Sequence, residues 1–131
     1  MLSDNQVVAT IPVHDTNRAK SFYHDKLGLT PLEDRPGVTT YRSGGFTLLV
    51  YESDQAGTNK ATSATWVTSD VDGVVKDLKS RGVAFERYDN LPGLAMQGDI
   101  HTDREGQMKV AWFKDPDGNI LSVSEHPELK K

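Results

Sequence analysis

Side chains able to do chemistry are sparse in this 131-residue chain. It contains no cysteine, which excludes disulfides, thiolate nucleophiles, thiolate-held zinc and cysteine-ligated iron–sulfur clusters. Its histidines are His14, His24, His101 and His126, and no two stand at the close spacing of a metal-binding pair. His14 lies beside a predicted helix cap, His24 lies between Tyr23 and Asp25 in a predicted helix, and His126 lies in the polar tail. Each of these three reads as a surface imidazole. His101 falls in a long loop or irregular strand, which leaves it open to ligand contact or to an ordinary hydrogen bond. Glu52 stands at a predicted strand end after Tyr51. A buried acid or base there would need hydrogen bonding and a shifted proton affinity, whereas a strand end is commonly exposed. Glu52 and His101 are therefore weak catalytic candidates. No serine occupies a nucleophile elbow, and the glycine pairs lack the Lys and Ser/Thr of a phosphate loop.

The elements that must position these groups come in two copies. Gln6 to Val13 alternates as a strand, with Val7, Ala9, Ile11 and Val13 on one face. Asp15 or Thr16 can cap a helix carrying Ala19, Phe22, Tyr23 and Leu27, and Gly28 is suited to end it. The same order returns with Ser63 to Thr68 as a strand and Ser69 or Asp70 as a cap. Val71, Val74, Val75 and Leu78 then form a stripe, Gly82 stops it, and Val83 to Phe85 resume extended chain. In this alignment Asp15 matches Asp70, Gly28 matches Gly82, and Ile11 falls opposite Trp66, which predicts Trp66 on the face packed under a helix. Val38 to Arg42 and Phe46 to Tyr51 flank Ser43-Gly44-Gly45, the signature of a hairpin. Met108 to Phe113 and Ile120 to Val123 flank the turn Asp115-Pro116-Asp117-Gly118-Asn119. Asp54 to Ala61 connects the halves. Asn90 to Arg104 is longer and aperiodic, and reads as a cover for a pocket or interface.

Composition narrows the partners. Lys and Arg number 15 against 19 Asp and Glu, a net charge of −4, so a broad nucleic-acid footprint is not expected. No run of about 18 apolar residues suggests a membrane span. The first residues lack the basic and apolar regions of a secretory signal, so the expected location is the cytoplasm.

Three stretches carry a family resemblance. They are Ile11-Pro12-Val13-His14-Asp15 leading to Ser21-Phe22-Tyr23 and Leu27-Gly28-Leu29, then Val67-Thr68-Ser69-Asp70-Val71-Asp72, and last Trp112-Phe113-Lys114-Asp115-Pro116-Asp117-Gly118-Asn119. With the repeated layout, the chain resembles the vicinal oxygen chelate superfamily, also called the glyoxalase/bleomycin-resistance/dioxygenase superfamily. The resemblance implies an α+β fold in which two βαβββ modules form curved mixed sheets around a cleft. It places one domain over residues 1–131, with modules at about 6–53 and 62–125, and it implies a homodimer. Metal-dependent relatives carry His, Glu or Gln on each first and last strand. Here those positions are matched by Val8, Ser63 and Ser122, and by a fourth within Leu48-Leu49-Val50-Tyr51-Glu52, where Glu52 requires a register shift. Valine has no donor atom and serine is a weak neutral ligand, so no metal and no cofactor are expected.

The resulting expectation is metal-independent binding or sequestration of a small aromatic or apolar molecule, as in relatives that confer drug resistance. The expected ligand contacts are Val8, Tyr41, Tyr51, Ser63, Met96, His101, Trp112 and Ser122. Tyr88 is a further possible contact, although its polar neighbours suit a surface turn. Glu33, Asp34, Glu52, Asp54, Asp99 and Asp103 offer a negative field for a cationic drug. Two alternatives stay open: a lyase, isomerase or dioxygenase with a noncanonical metal or acid/base site, and a protein-interaction module. Whether the chain is an enzyme is left open by these residues.

Overall fold

A computed structural model describes residues 1–89, 91–103 and 106–125. His126, Lys130 and Lys131 lie outside the described residues, as do Asn90 and Arg104 at the ends of the aperiodic segment. The chain forms two compact units, Met1–Ser63 with Pro116–Asn119, and Ala64–Asp115 with the chain from Ile120 onward.

In the first unit β1 (Ala9–Val13) leads into α1 (Thr16–Lys20), whose helical path continues through Ser21–Lys26. Then come β2 (Thr30–Arg35), β3 (Val38–Ser43) and β4 (Phe46–Glu52). Asp15 caps α1, its carboxylate accepting from the N–H groups of Asn17 and Arg18. The helix then widens, because the Leu27 N–H reaches the Phe22 carbonyl five residues back. Gly28, at φ 76°, turns the chain out of it. The sheet order is β1-β4-β3-β2, with β1 parallel to β4 and the other pairs antiparallel. Ile11, Val13, Tyr41, Leu48 and Val50 are buried together with Ala19, Phe22 and Tyr23 of the helical segment. The turn Pro116–Asn119 contributes to this unit as well. Asn119 is fully buried, donates to the Pro12 carbonyl at 2.7 Å and accepts from the Gly57 N–H at 3.3 Å.

In the second unit β5 (Thr62–Val67) and α2 (Val71–Ser80) are followed by β6 (Phe85–Glu86) and β7 (Ala95–Gln97). Next come β8 (Ile100–Thr102), β9 (Lys109–Lys114) and β10 (Ile120–Glu125). Asp70 caps α2 through the Gly73 N–H, and Gly82 follows it at φ 89°. Val71, Val75 and Leu78 are buried, whereas Val74 is half-buried at the edge of the stripe. The sheet order is β5-β10-β9-β8-β7, and β6 pairs with β9 as well.

Two points correct the expected architecture. The curved sheets around a cleft are not found: both ladders are open and neither is strongly curled. The first sheet ends at β1 and β2, and its four strands are far fewer than the roughly eight that closing around a filled interior takes. The second unit also departs from a plain βαβββ order. A β7–β8 hairpin, turning at Gly98 with φ 63°, arises in the segment read as a loop or irregular strand. Three-residue strands are too short to display a period of two.

Candidate functional site

Residues directly opposite in a ladder share a face of the sheet, and so do residues two apart on one strand. Two rows on the second sheet follow. One runs Met96, His101, Val110, Ser124 across β7 to β10; the other runs Glu86, Trp112, Ser122 across β6, β9 and β10. Val110 and Trp112 are two apart, so both rows lie on one face. Four expected contacts, Met96, His101, Trp112 and Ser122, are thereby brought together.

His101 lies on this face and is only 1% exposed. The Trp112 ring meets it nearly at right angles, 81°, with centroids 4.8 Å apart. The Tyr88 ring lies 6.0 Å from His101 and 5.3 Å from Trp112. The Tyr88 backbone N–H donates to His101 Nε2 at 3.0 Å. A backbone N–H can only donate, so Nε2 presents its lone pair and the ring proton resides on Nδ1. Nδ1 is buried and has no hydrogen-bond partner among the described residues. A buried donor left this way costs about 1–3 kcal/mol, which an arriving acceptor would recover. Ser124 Oγ, in the same row, is likewise buried without a described partner. Ser122 Oγ differs, being bonded to Thr65 Oγ1 at 2.7 Å. Burial pushes the Tyr88 phenol above its ordinary range; Glu86 adds to the shift and Lys114 opposes it.

The remaining expected contacts belong to the first unit. Tyr41 and Tyr51 leave the sheet on opposite faces, because Tyr41 is opposite Leu48 whereas Tyr51 is three residues along from it. Tyr41 is fully buried with its ring 6.0 Å from that of Tyr23. Burial first, then Asp34 and Asp25, push its phenol up to about 12. Tyr51 is half-buried between Val38 and Pro12 on the neighbouring strands. Val8 precedes β1 and Ser63 is the second residue of β5; both are half-buried. Trp66 stacks on buried Phe113 at 6.3 Å and 27°, in keeping with a packing role.

The carboxylates serve local structure. Glu52 Oε2 accepts from the Thr16 N–H and hydroxyl, and Glu125 accepts from the Val71 N–H. Each unit thus ties the end of its last strand to the start of its helix. Lys20 and then Thr39 hold the Asp34 carboxyl below the ordinary carboxylate range, and Lys79 and then Arg87 do so for Asp99. Glu33 pairs with Arg35, Asp54 accepts from the Gln55 side chain, and Asp103 accepts from the N–H groups of Gln107 and Met108. These acids therefore all take part in local contacts, three of them (Glu33, Asp34 and Asp99) with cationic side chains.

The positions that the resemblance assigns to a metal do not fit one. Val8 offers no donor atom, Ser122 is committed to Thr65 and Glu52 to Thr16. Among the described residues no three His, Cys, Asp or Glu side chains are grouped to hold a metal ion. The sequence reading missed Ser124, although it lies two residues beyond Ser122 and so shares its face. Tyr88, named from the sequence only as a further possible contact, reaches His101 and Trp112 from an irregular segment.

The sequence profile described as "Glyoxalase/Bleomycin resistance protein/Dioxygenase superfamily" matches residues 5–123. No curated protein matches the chain. Among solved structures, the lactoylglutathione lyase of Agrobacterium tumefaciens is similar with a TM-score of 0.71 and 17% identity, covering 95% of this chain and 96% of that one. A glyoxalase family protein from Enterococcus faecalis gives 0.69 and 21%, covering 95% of this chain and 100% of its own. TnmS3, an antibiotic binding protein from Streptomyces sp. CB03234, gives 0.65 and 26%, covering 93% and 96%.

Proposed function

The chain belongs to the glyoxalase/bleomycin resistance protein/dioxygenase superfamily, and from that premise we propose that it binds a small flat aromatic or apolar molecule, without a metal, on the face bearing His101, Trp112 and Tyr88. The observation that carries this reading is the buried Nδ1–H of His101, unpartnered among the described residues and framed by two aromatic rings. The rings offer dispersion and edge contacts to a planar guest, and the donor orients it. The likeness to an antibiotic binding protein supports holding rather than converting the guest. Neither ring nitrogen of His101 meets a carboxylate among the described residues, so the oriented acid/base pair of a proton-transfer site is not assembled there.

The test is a titration of the whole chain with a panel of planar aromatic compounds, read by tryptophan fluorescence and calorimetry. Saturable binding that weakens at least tenfold in Trp112→Leu is expected. Binding that ignores that substitution would remove this face from consideration, and turnover of a bound compound would move the reading to catalysis.

A further inference from the structure

The proposed site can be taken further, to the chemistry of what it accepts. Resting on the reading that this face binds a small molecule, we infer that its guest is an uncharged fused-ring compound whose ring carbonyl, or an equivalent oxygen acceptor, sits on His101 Nδ1.

Three observations converge on this class. The first is polarity. Because the Tyr88 N–H occupies Nε2, His101 can present only a donor to a guest, and a donor selects an acceptor. The second is charge. Among the described residues, the buried polar side-chain atoms without a partner on this face are a neutral imidazole N–H and the Ser124 hydroxyl. Among the described residues, Glu86 on this face pairs with Lys114 at 3.6 Å, and Asp99 of the β7–β8 turn pairs with both Lys79 and Arg87. An ion placed against His101 would be buried without a counter-charge, which is far costlier than burying a carbonyl that gains a hydrogen bond. The third is shape. Trp112 stands at 81° to the imidazole and at 75° to Tyr88, giving the angular frame that receives a planar edge. Ser124 lies two strands from His101 in the same row, about 9.5 Å away across the sheet. That span suits fused rings better than a single one.

The experiment compares 9-fluorenone with fluorene, which has the same ring system without the carbonyl, and with the planar cation proflavine. Calorimetric titration of the whole chain is expected to show fluorenone binding about tenfold or more tighter than fluorene, with proflavine weakest. His101→Phe keeps a flat ring and removes the donor, so it should erase the fluorenone preference, bringing the two affinities to within about twofold of each other. Ser124→Ala should preserve the preference, since fluorenone carries no second polar group. If His101→Phe loses its fold with the Tyr88 hydrogen bond, the Nδ1 proton resonance of the unmodified chain provides the second readout. It should move on adding fluorenone and stay in place with fluorene. Equal binding of fluorenone and fluorene, or tighter binding of proflavine, would overturn the acceptor inference and leave the binding face standing. No binding of any of the three would overturn both.

Discussion

Glu52 at the end of β4 accepts two hydrogen bonds from Thr16 at the start of α1, one from the backbone N–H at 3.0 Å and one from the hydroxyl at 3.1 Å. The second unit repeats the device, with Glu125 accepting from the Val71 N–H at 2.8 Å. In both units the first N–H groups of the helix are shared between an aspartate cap and the glutamate that ends the last strand. A helix start leaves such donors unsatisfied and is electropositive, so a carboxylate there is doubly favourable. The side chain that resembled a catalytic acid from its place at a strand end is engaged in holding sheet and helix together.

The first prediction follows from that contact. Glu52→Ala is expected to destabilise the chain by about 1–2 kcal/mol, and Glu125→Ala by a similar amount. Urea melts followed by circular dichroism measure both. An unchanged midpoint for Glu52→Ala would show that the Thr16 contact contributes nothing net.

Tyr41 yields a prediction of the opposite kind. Its hydroxyl is buried with no partner among the described residues, so Tyr41→Phe should leave stability unchanged or raise it by up to about 1 kcal/mol. Its phenol is pushed up to about 12, above the value of roughly 10 in an unfolded chain. The folded state therefore holds the proton more tightly. This contribution is complete below pH about 10 and is lost as pH rises through about 12. Ultraviolet titration of phenolate should show a tyrosine ionising at about 12 that disappears in Tyr41→Phe.

The two tryptophans should separate binding from packing. Trp112 shares its face with His101, whereas Trp66 stacks on Phe113. Trp112→Leu is expected to weaken ligand binding at least tenfold, with a loss of stability of about 1–3 kcal/mol. Trp66→Leu should cost about 1–3 kcal/mol of stability and change affinity less than threefold. Calorimetry and thermal melts on the two variants make the comparison. A reversed pattern would move the site to the other face of the sheet.

Gly57 is predicted to be irreplaceable. It adopts φ +73°, and a Cβ there would lie 1.9 Å from the Asp117 carbonyl oxygen. Its N–H also donates to Asn119, which in turn donates to the Pro12 carbonyl. Gly57→Ala should cost at least about 2 kcal/mol and lower the melting temperature by several degrees. A variant as stable as the parent would mean that the β9–β10 turn is not held against this loop.

What the sequence determined by itself was everything written in near neighbours. Asp15 and Asp70 as caps, Gly28 and Gly82 as helix exits, and the Ser43–Phe46 hairpin were all legible, because each depends on backbone geometry within a few residues. The Asp115–Asn119 motif and the repeated order were sufficient to place the chain in its family. The openness of the sheets and the β7–β8 hairpin were not legible, since ladder ends and short strands are decided by which segments meet. Tyr41 and Tyr51 show the same limit: alternation says that they take opposite faces, but only the helix seated over one face made Tyr41 core. His101 was visible as a residue type, but its burial and hydrogen bonding came from Val110 and Trp112 on the paired strand and from Tyr88. A buried polar atom is defined by its partners, and those partners are neighbours across a sheet rather than along the chain.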